Sequence, residues 1–139
     1  MNNDIHTNSP VPAIGRVLMA AIFLLSGFGK IAAPAATIGY IASSGLPLAS
    51  VAYVGAVVLE VGGGLMLLAG FQTRLVALGL ALFTIVTGLV FHHAVADQNQ
   101  MIHLLKNFAM AGGLLQVFAF GAGAYSLDHR RAAALPRTA

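Results

Sequence analysis

Glu60 is the residue that most demands a chemical explanation, because it lies near the middle of an apolar stretch that runs from Leu48 to Ala69. That stretch is long enough to cross a bilayer, and a carboxylate at such a depth costs about 2.5 to 3.5 kcal/mol on insertion scales. In hydrocarbon the side chain must pair with a cation, accept hydrogen bonds or take up a proton. The first functional question is therefore which partner Glu60 has.

Arg16 is the partner that the sequence predicts for Glu60. When the first two apolar segments are measured from the same end of a helical bundle, the two residues differ in depth by only a few ångströms. The planar guanidinium matches a carboxylate, so a pair would lower the cost of both charges. We therefore expect an intramembrane Arg16–Glu60 ion pair. The alternative is that Arg16 extends its side chain to the lipid headgroups.

A second group of polar residues is predicted at the opposite end of the bundle. Residues 103, 106 and 107 share one helix face because they are three and four positions apart. A cationic pocket between the first and fourth spans would suit a quinone headgroup or a small anion. The alternative is that both lysines extend to the membrane interface. The substrate-binding residues predicted for this pocket are Lys30, His103, Lys106 and Asn107, and His92 and His93 lie nearby.

The composition identifies the chain as an integral membrane protein. Of its 139 residues, 58% are hydrophobic and only 8% are charged, and the mean hydropathy is +0.86. Soluble globular domains carry about 25% charged residues. The length allows one small domain, so any site must lie between membrane helices or belong to a partner protein.

Several kinds of chemistry are excluded or disfavoured by the residues present. The chain has no cysteine, which excludes thiol redox chemistry and Cys-ligated iron–sulfur clusters. The histidines and aspartates have no diagnostic ligand spacing, so we predict no metal site and no covalently bound cofactor. The net charge is +3, but the basic residues are scattered and flank apolar segments, which argues against nucleic-acid binding.

The pattern of apolar segments predicts an all-α membrane protein, a four-helix antiparallel bundle. Residues 1–10 form a polar tail, residues 11–125 the transmembrane domain and residues 126–139 a basic tail. Between the first two spans, the chain from Ala32 to Pro47 predicts either a short interfacial helix or a plain loop. The predicted spans are Val11 to Ile31, Leu48 to Ala69, Leu75 to Phe91 and Met101 to Phe120.

The arginines predict the orientation of the bundle. Arg74 lies in the connection between the second and third spans, and the tail is rich in arginine at positions 130, 131 and 137. Positive residues favour the cytoplasmic side, so both termini are predicted to be cytoplasmic. We assign Arg74 a topological and structural role.

The order of several motifs resembles the DoxX family of small four-helix membrane proteins. The motifs are Gly15-Arg16-Val17-Leu18, the segment from Phe23 to Ile31 (FLLSGFGKI), Glu60 with its following glycines, the segment from Leu68 to Arg74 (LAGFQTR), and the segment from His103 to Asn107 (HLLKN). The resemblance covers Gly15 to about Ala124 and implies a bacterial inner-membrane protein. By that similarity, the positions that match the family's recurrent polar residues are Arg16, Lys30, Glu60, Arg74, Lys106 and Asn107.

The resemblance also implies a function. Some members of the family are described as membrane subunits of oxidoreductase systems, such as thiosulfate:quinone oxidoreductases. We therefore expect a membrane subunit of a redox system that binds a quinone or a small anion and docks a partner oxidoreductase. The partners expected are the lipid bilayer, that oxidoreductase and a second copy of the chain. Catalysis by the isolated chain stays an open question. The alternatives are a proton-coupled transporter subunit, in which Glu60 takes up and releases a proton, and a purely structural membrane protein.

Overall fold

The computed structural model describes residues 9–135, and the regular structure in that range is entirely helical. Four helices are long and apolar enough to cross a membrane, and we call them the first to fourth spans: Val11–Ala32, Ala49–Ala69, Thr73–Phe91 and Gln98–Phe120. The predicted four-helix membrane bundle is therefore confirmed. Each observed boundary lies within a few residues of the predicted one.

Two short helices lie outside the spans. The surface helix, Pro34–Ser43, occupies the connection for which a short helix or a plain loop was predicted. The C-terminal helix, Leu127–Ala134, begins after Ser126, whose hydroxyl accepts a hydrogen bond from the backbone N–H of His129 at 3.1 Å. This helix falls in the segment for which only a basic tail was expected. Most of the predicted N-terminal tail, and Arg137, lie outside the described residues.

The ends of the spans follow from local sequence. The fourth span begins at a capping residue, because the Asp97 carboxylate accepts a hydrogen bond from the Gln100 N–H at 2.9 Å. The second span ends at Gly70, which adopts a left-handed conformation with φ of 68°. The next N–H, that of Phe71, then bonds back to the Met66 carbonyl at 2.9 Å. That tight ending makes the short antiparallel connection into the third span.

Small residues let the helices approach closely at the centre of the bundle. The third and fourth spans share the largest interface, and the first and second spans share the next largest. Gly27 of the first span lies directly against Val61, and Gly64 of the second span lies against Leu24. The buried core also contains Ala20, Phe23, Leu67, Ala77, Leu80, Ala81, Ala111 and Leu114. Glycine and alanine at these positions allow the backbone proximity that stabilises helix pairs in membranes.

The second span is not a uniform α-helix. Residues Val58–Gly63 form a π-helical segment, and Glu60 lies within it. π-Helical turns are rare and are found frequently at functional sites. Two of the glycines that follow Glu60 leave room for neighbouring spans, since a Cβ would lie 3.1 Å from the Leu80 side chain at Gly63 and 3.0 Å from the Leu24 side chain at Gly64. The distortion therefore marks the neighbourhood of Glu60 as a place to look for function.

Replacement of Gly27 by alanine should destabilise the bundle. A Cβ at this position would lie 2.6 Å from Val61 Cγ2 and 3.2 Å from Glu60 Cβ, and overpacking of this kind costs about 1–3 kcal/mol. The matched control is Gly29→Ala in the same helix, where a Cβ meets nothing within 4 Å. Thermal unfolding in detergent should show a lower midpoint for Gly27→Ala than for Gly29→Ala. Equal midpoints would show that the first two spans do not meet at Gly27.

Candidate functional site

Glu60 is paired with Lys30 inside the apolar layer. The Lys30 Nζ lies 2.8 Å from Glu60 Oε2 and donates to Glu60 Oε1 at 2.9 Å. Ser26, one helical turn before Lys30, completes the group: its hydroxyl donates to Glu60 Oε1 at 3.1 Å and accepts from Lys30 Nζ at 2.7 Å. Glu60 is buried, whereas the Lys30 side chain keeps 24% of its surface exposed. The carboxylate thus has both a counter-charge and hydrogen bonds.

The predicted Arg16–Glu60 pair is wrong, and the register of the first two spans explains why. Close contact of Gly27 with Val61 brings Lys30 level with Glu60. Arg16 instead comes level with Gly70, against which its guanidinium packs directly. The predicted pair rests on the depths of Arg16 and Glu60 from the predicted ends of their helices. The ends of two helices do not show at which residues the helices touch, so this comparison of depths could not give the register.

Arg16 is bound by backbone carbonyls. It is 2% exposed, and it donates hydrogen bonds to the carbonyls of Leu67 at 3.1 Å, Leu68 at 3.5 Å and Tyr125. The first two carbonyls belong to the last turn of the second span, where helix carbonyls lack intrahelical partners and the helix dipole favours a cation. Arg16 therefore joins the first span, the second span and the segment that precedes the C-terminal helix.

A cavity of about 400 Å³ lies beside the Lys30–Glu60 pair. Its polar lining includes Ser26, Lys30, Glu60 and Asn107. Its apolar lining comes from the surface helix, the second span and the third span. Two of the lining residues, Tyr40 and Phe91, stack on each other with their ring centroids 5.3 Å apart. Its size falls within the range of about 300–1,000 Å³ typical of small-molecule sites. An apolar chamber with a few converging polar groups is the usual form of such a site.

The predicted pocket residues are only partly brought together. Lys30 and Asn107 line the cavity, and Asn107 packs tightly against Gly88 of the third span. Within residues 9–135, His103 and Lys106 lie outside its lining, and Lys106 is exposed. The expectation of one pocket shared by all four residues between the first and fourth spans is corrected accordingly. The cavity lies mainly among the first three spans, because the fourth span packs chiefly on the third.

Two histidines, His92 and His103, lie together at this end of the bundle. The rings of His92 and His103 stack, with centroids 5.0 Å apart. His92 lines the cavity and its Nδ1 lies 2.9 Å from Gln100 Oε1. We call this end of the bundle the histidine end and the opposite end, where Arg16 and Arg74 lie, the arginine end. Among residues 9–135, no three His, Asp or Glu side chains come together as a metal site.

At the arginine end, Asp128 attaches the C-terminal helix to the third span. Its carboxylate accepts hydrogen bonds from the backbone N–H groups of Gln72 and Thr73, both at 2.8 Å. Its own N–H donates to the Gly70 carbonyl at 2.9 Å. Burial alone would raise the pKa of Asp128, but the hydrogen bonds from Thr73 and Gln72 and the charge of Arg131 lower that pKa below its usual value.

Two residues of these networks, Ser26 and Asp128, were not singled out from the sequence. Ser26 lies four residues before Lys30, a spacing that places both side chains on one helix face. Asp128 is the only carboxylate of the basic tail. The role of Ser26 could have been predicted from its spacing to Lys30. The contact of Asp128 could not, because it depends on where the tail folds back onto the bundle.

Comparison with known proteins finds one matching family and two similar inner-membrane proteins. The DoxX family model matches residues 11–93. The chain is similar to inner membrane protein YqjF of Escherichia coli strain K12, with 39% identity over 115 residues that cover 83% of this chain and 87% of that protein. It is also similar to inner membrane protein YphA of the same organism, with 35% identity over 122 residues that cover 84% and 87% of the two chains. No solved structure matches the chain significantly.

Loss of Lys30 should destabilise the bundle, because it leaves the buried Glu60 carboxylate without its counter-charge. Lys30→Met is expected to cost up to about 3 kcal/mol, the low end for a buried pair, since the lysine is partly exposed. Glu60→Gln should then cost less in the Lys30→Met background than in the wild type. Equilibrium unfolding of the two single variants and the double variant in detergent measures this coupling.

The control for this measurement is the same cycle with Arg16→Gln in place of Lys30→Met. Arg16 does not contact Glu60. The losses in unfolding free energy caused by Arg16→Gln and Glu60→Gln should therefore add to within about 0.5 kcal/mol in the double variant. Strong coupling of Arg16 to Glu60, with none for Lys30, would restore the pair that the sequence predicted.

Docking of the C-terminal helix should depend on the charge of Asp128. Because the folded-state pKa of Asp128 is lowered, its contribution is fully present above the unfolded value of about 3.9 and is lost as the pH falls through the lower folded value. Amide hydrogen exchange of residues 127–134, corrected for intrinsic rates, should show more protection in the wild type than in Asp128→Asn at pH near 7. That difference should shrink as the pH is lowered below the unfolded value and Asp128 becomes protonated. Equal protection at neutral pH would mean that the carboxylate does not hold the helix.

Proposed function

The chain belongs to the DoxX family, and from this premise we propose that it is the membrane subunit of a bacterial redox system whose cavity binds a quinone headgroup. The observation that supports the proposal is the chamber at the histidine end, in which the Lys30–Glu60 pair and Asn107 converge within apolar walls. A quinone ring needs an apolar slot, and its carbonyls need hydrogen-bond donors. The cavity offers both.

The charges of the site favour a quinone over the small anion that the sequence also allowed. The Glu60 carboxylate already neutralises Lys30, so an anion beside the pair would meet a negative charge as well as a positive one. A quinone carbonyl is uncharged and accepts hydrogen bonds. The Lys30 ammonium has three N–H donors, and within residues 9–135 its acceptors are Ser26 and Glu60. The Asn107 amide, which also lines the cavity, supplies further donors.

The position of the cavity suits a ligand that arrives from the lipid phase. Val86 and Tyr40 both line the cavity and are 57% and 55% exposed. Large exposed side chains at the wall of a transmembrane bundle would bring the chamber close to lipid. A quinone with its isoprenoid tail in the bilayer could place its headgroup in the cavity without leaving the membrane.

In this proposal the residues of the chain bind and orient the quinone, and they do not supply electrons. The chain has no cysteine, so electrons for quinone reduction would come from the cofactor of a docked partner oxidoreductase. Reduction to the quinol takes up two electrons and two protons, and Glu60, an ionisable group on the cavity wall, is a candidate for passing on one of those protons. We further propose that the histidine end faces outward and that both termini are cytoplasmic, as the distribution of arginines favours.

Binding of a quinone analogue tests the proposal. We expect decylubiquinone to bind saturably to the purified protein in detergent, and Asn107→Leu to weaken binding by about tenfold through loss of one hydrogen bond. The matched control is Lys106→Met, since Lys106 is the adjacent residue and is exposed. It should leave affinity unchanged. Isothermal titration calorimetry measures all three proteins.

Absence of saturable binding to the wild type would contradict the proposal, as would equal weakening in Asn107→Leu and the control. Proton-dependent solute flux in liposomes, without any quinone affinity, would favour the transporter alternative. Loss of protein abundance as the only effect of substitutions in the cavity would favour the structural one.

A further inference from the structure

A second concave site lies at the arginine end, far from the cavity. It is a groove of about 770 Å³ between the beginning of the third span and the segment that leads into the C-terminal helix. Arg74 of the third span and Arg131 of the C-terminal helix both line it. The proposed quinone site uses neither residue. The groove therefore calls for a separate explanation.

The two arginines are held in place by contacts with the fold. The Arg74 guanidinium lies along Gly121, where a Cβ would come within 3.4 Å of its Nε. The Arg131 guanidinium lies over the ring of Phe71, 5.2 Å from the ring centroid. Asp128 fixes the C-terminal helix, and so Arg131, to the first turn of the third span. An arginine that only extends its side chain to the membrane interface does not need such packing contacts.

The groove has a net positive charge despite Asp128, which also lines it. The Asp128 carboxylate is already engaged by two backbone N–H groups. With His129 neutral, two arginines against one carboxylate leave a surplus of one positive charge in the lining. Arginine matches the oxygens of a phosphate diester particularly well, because its planar fork can donate two parallel hydrogen bonds.

Large apolar side chains border the same groove. Phe120 and Leu75 line it and are 81% and 68% exposed. Both residues lie at the ends of spans, where hydrocarbon gives way to headgroups. A ligand that fits the groove would therefore carry an anionic head and an apolar chain.

We propose that this groove binds one anionic phospholipid, with its phosphate between Arg74 and Arg131 and an acyl chain along Leu75 and Phe120. The bound lipid would join the third span to the C-terminal helix through its headgroup. It would thus strengthen the same connection that Asp128 makes through the protein. This inference does not depend on quinone binding.

The test measures how much phosphatidylglycerol stabilises the full chain. The purified protein in uncharged detergent is unfolded thermally with and without added phosphatidylglycerol, and each variant is compared with its own lipid-free midpoint. We expect a rise in the midpoint for the wild type and loss of at least half of that rise in Arg74→Gln and Arg131→Gln. The matched control is Arg130→Gln, since Arg130 is an exposed neighbour on the same helix outside the groove lining. It should keep the full rise.

Two further compounds test whether the groove needs both the negative charge and the acyl chains of the lipid. Phosphatidylcholine should give a much smaller rise, because it has no net charge, and inorganic phosphate at the same concentration should give none. An equal rise with either compound would overturn the proposal, and so would an equal loss in Arg130→Gln and Arg131→Gln. Native mass spectrometry provides a second readout that does not depend on the midpoint. One retained phosphatidylglycerol is expected on the wild type and none on the Arg74→Gln/Arg131→Gln double variant, and equal retention by both would contradict the inference.

Discussion

The pairing of Glu60 with Lys30 in the apolar layer is the interaction on which the arrangement of the first two spans and the cavity depends. A carboxylate at this depth is tolerated only with a counter-charge and hydrogen bonds, and Lys30 and Ser26 supply them from a single face of the first span. The pair is possible because Gly27 lets that span approach Val61 closely. The polar wall of the cavity is therefore a direct product of helix packing.

Arg16 shows a different solution to the same problem of a charge in hydrocarbon. No carboxylate accepts its hydrogen bonds within residues 9–135, and the acceptors are backbone carbonyls of the last turn of the second span and of Tyr125. The last turn of a helix suits this role, because its carbonyls have no partner in a following turn and the helix dipole favours a cation there. The bundle thus has two polar centres with separate tasks: one at the histidine end borders an internal cavity, and one at the arginine end fastens the C-terminal segment. The π-helical turn around Glu60 belongs to the first of these.

Much of the fold could be predicted from the sequence, because hydropathy and helix-end signals act locally. The four spans and their antiparallel order followed from apolar length and from short connections such as Gly70 to Arg74. The partner of Glu60 did not follow, since it depends on helix register, and register is set by contacts such as Gly27 against Val61. Likewise, the spacing of His103, Lys106 and Asn107 placed them on one face without showing that only Asn107 reaches the cavity. The contact of Asp128 with the third span could not be predicted either, because it depends on where the C-terminal segment folds back onto the bundle.

The central claim, that an ionised Glu60 borders a quinone-binding cavity, is tested most directly by infrared spectroscopy. Glu60 is the only glutamate in the chain, so labelling with ¹³C-glutamate isolates its carboxyl band in the otherwise unlabelled protein. The account predicts an ionised carboxylate band that shifts when decylubiquinone is added and keeps its position when the same quinone is added to Asn107→Leu under conditions where that variant binds none. A protonated carboxyl band, or a carboxylate band that saturating quinone leaves unchanged in the wild type, would contradict it.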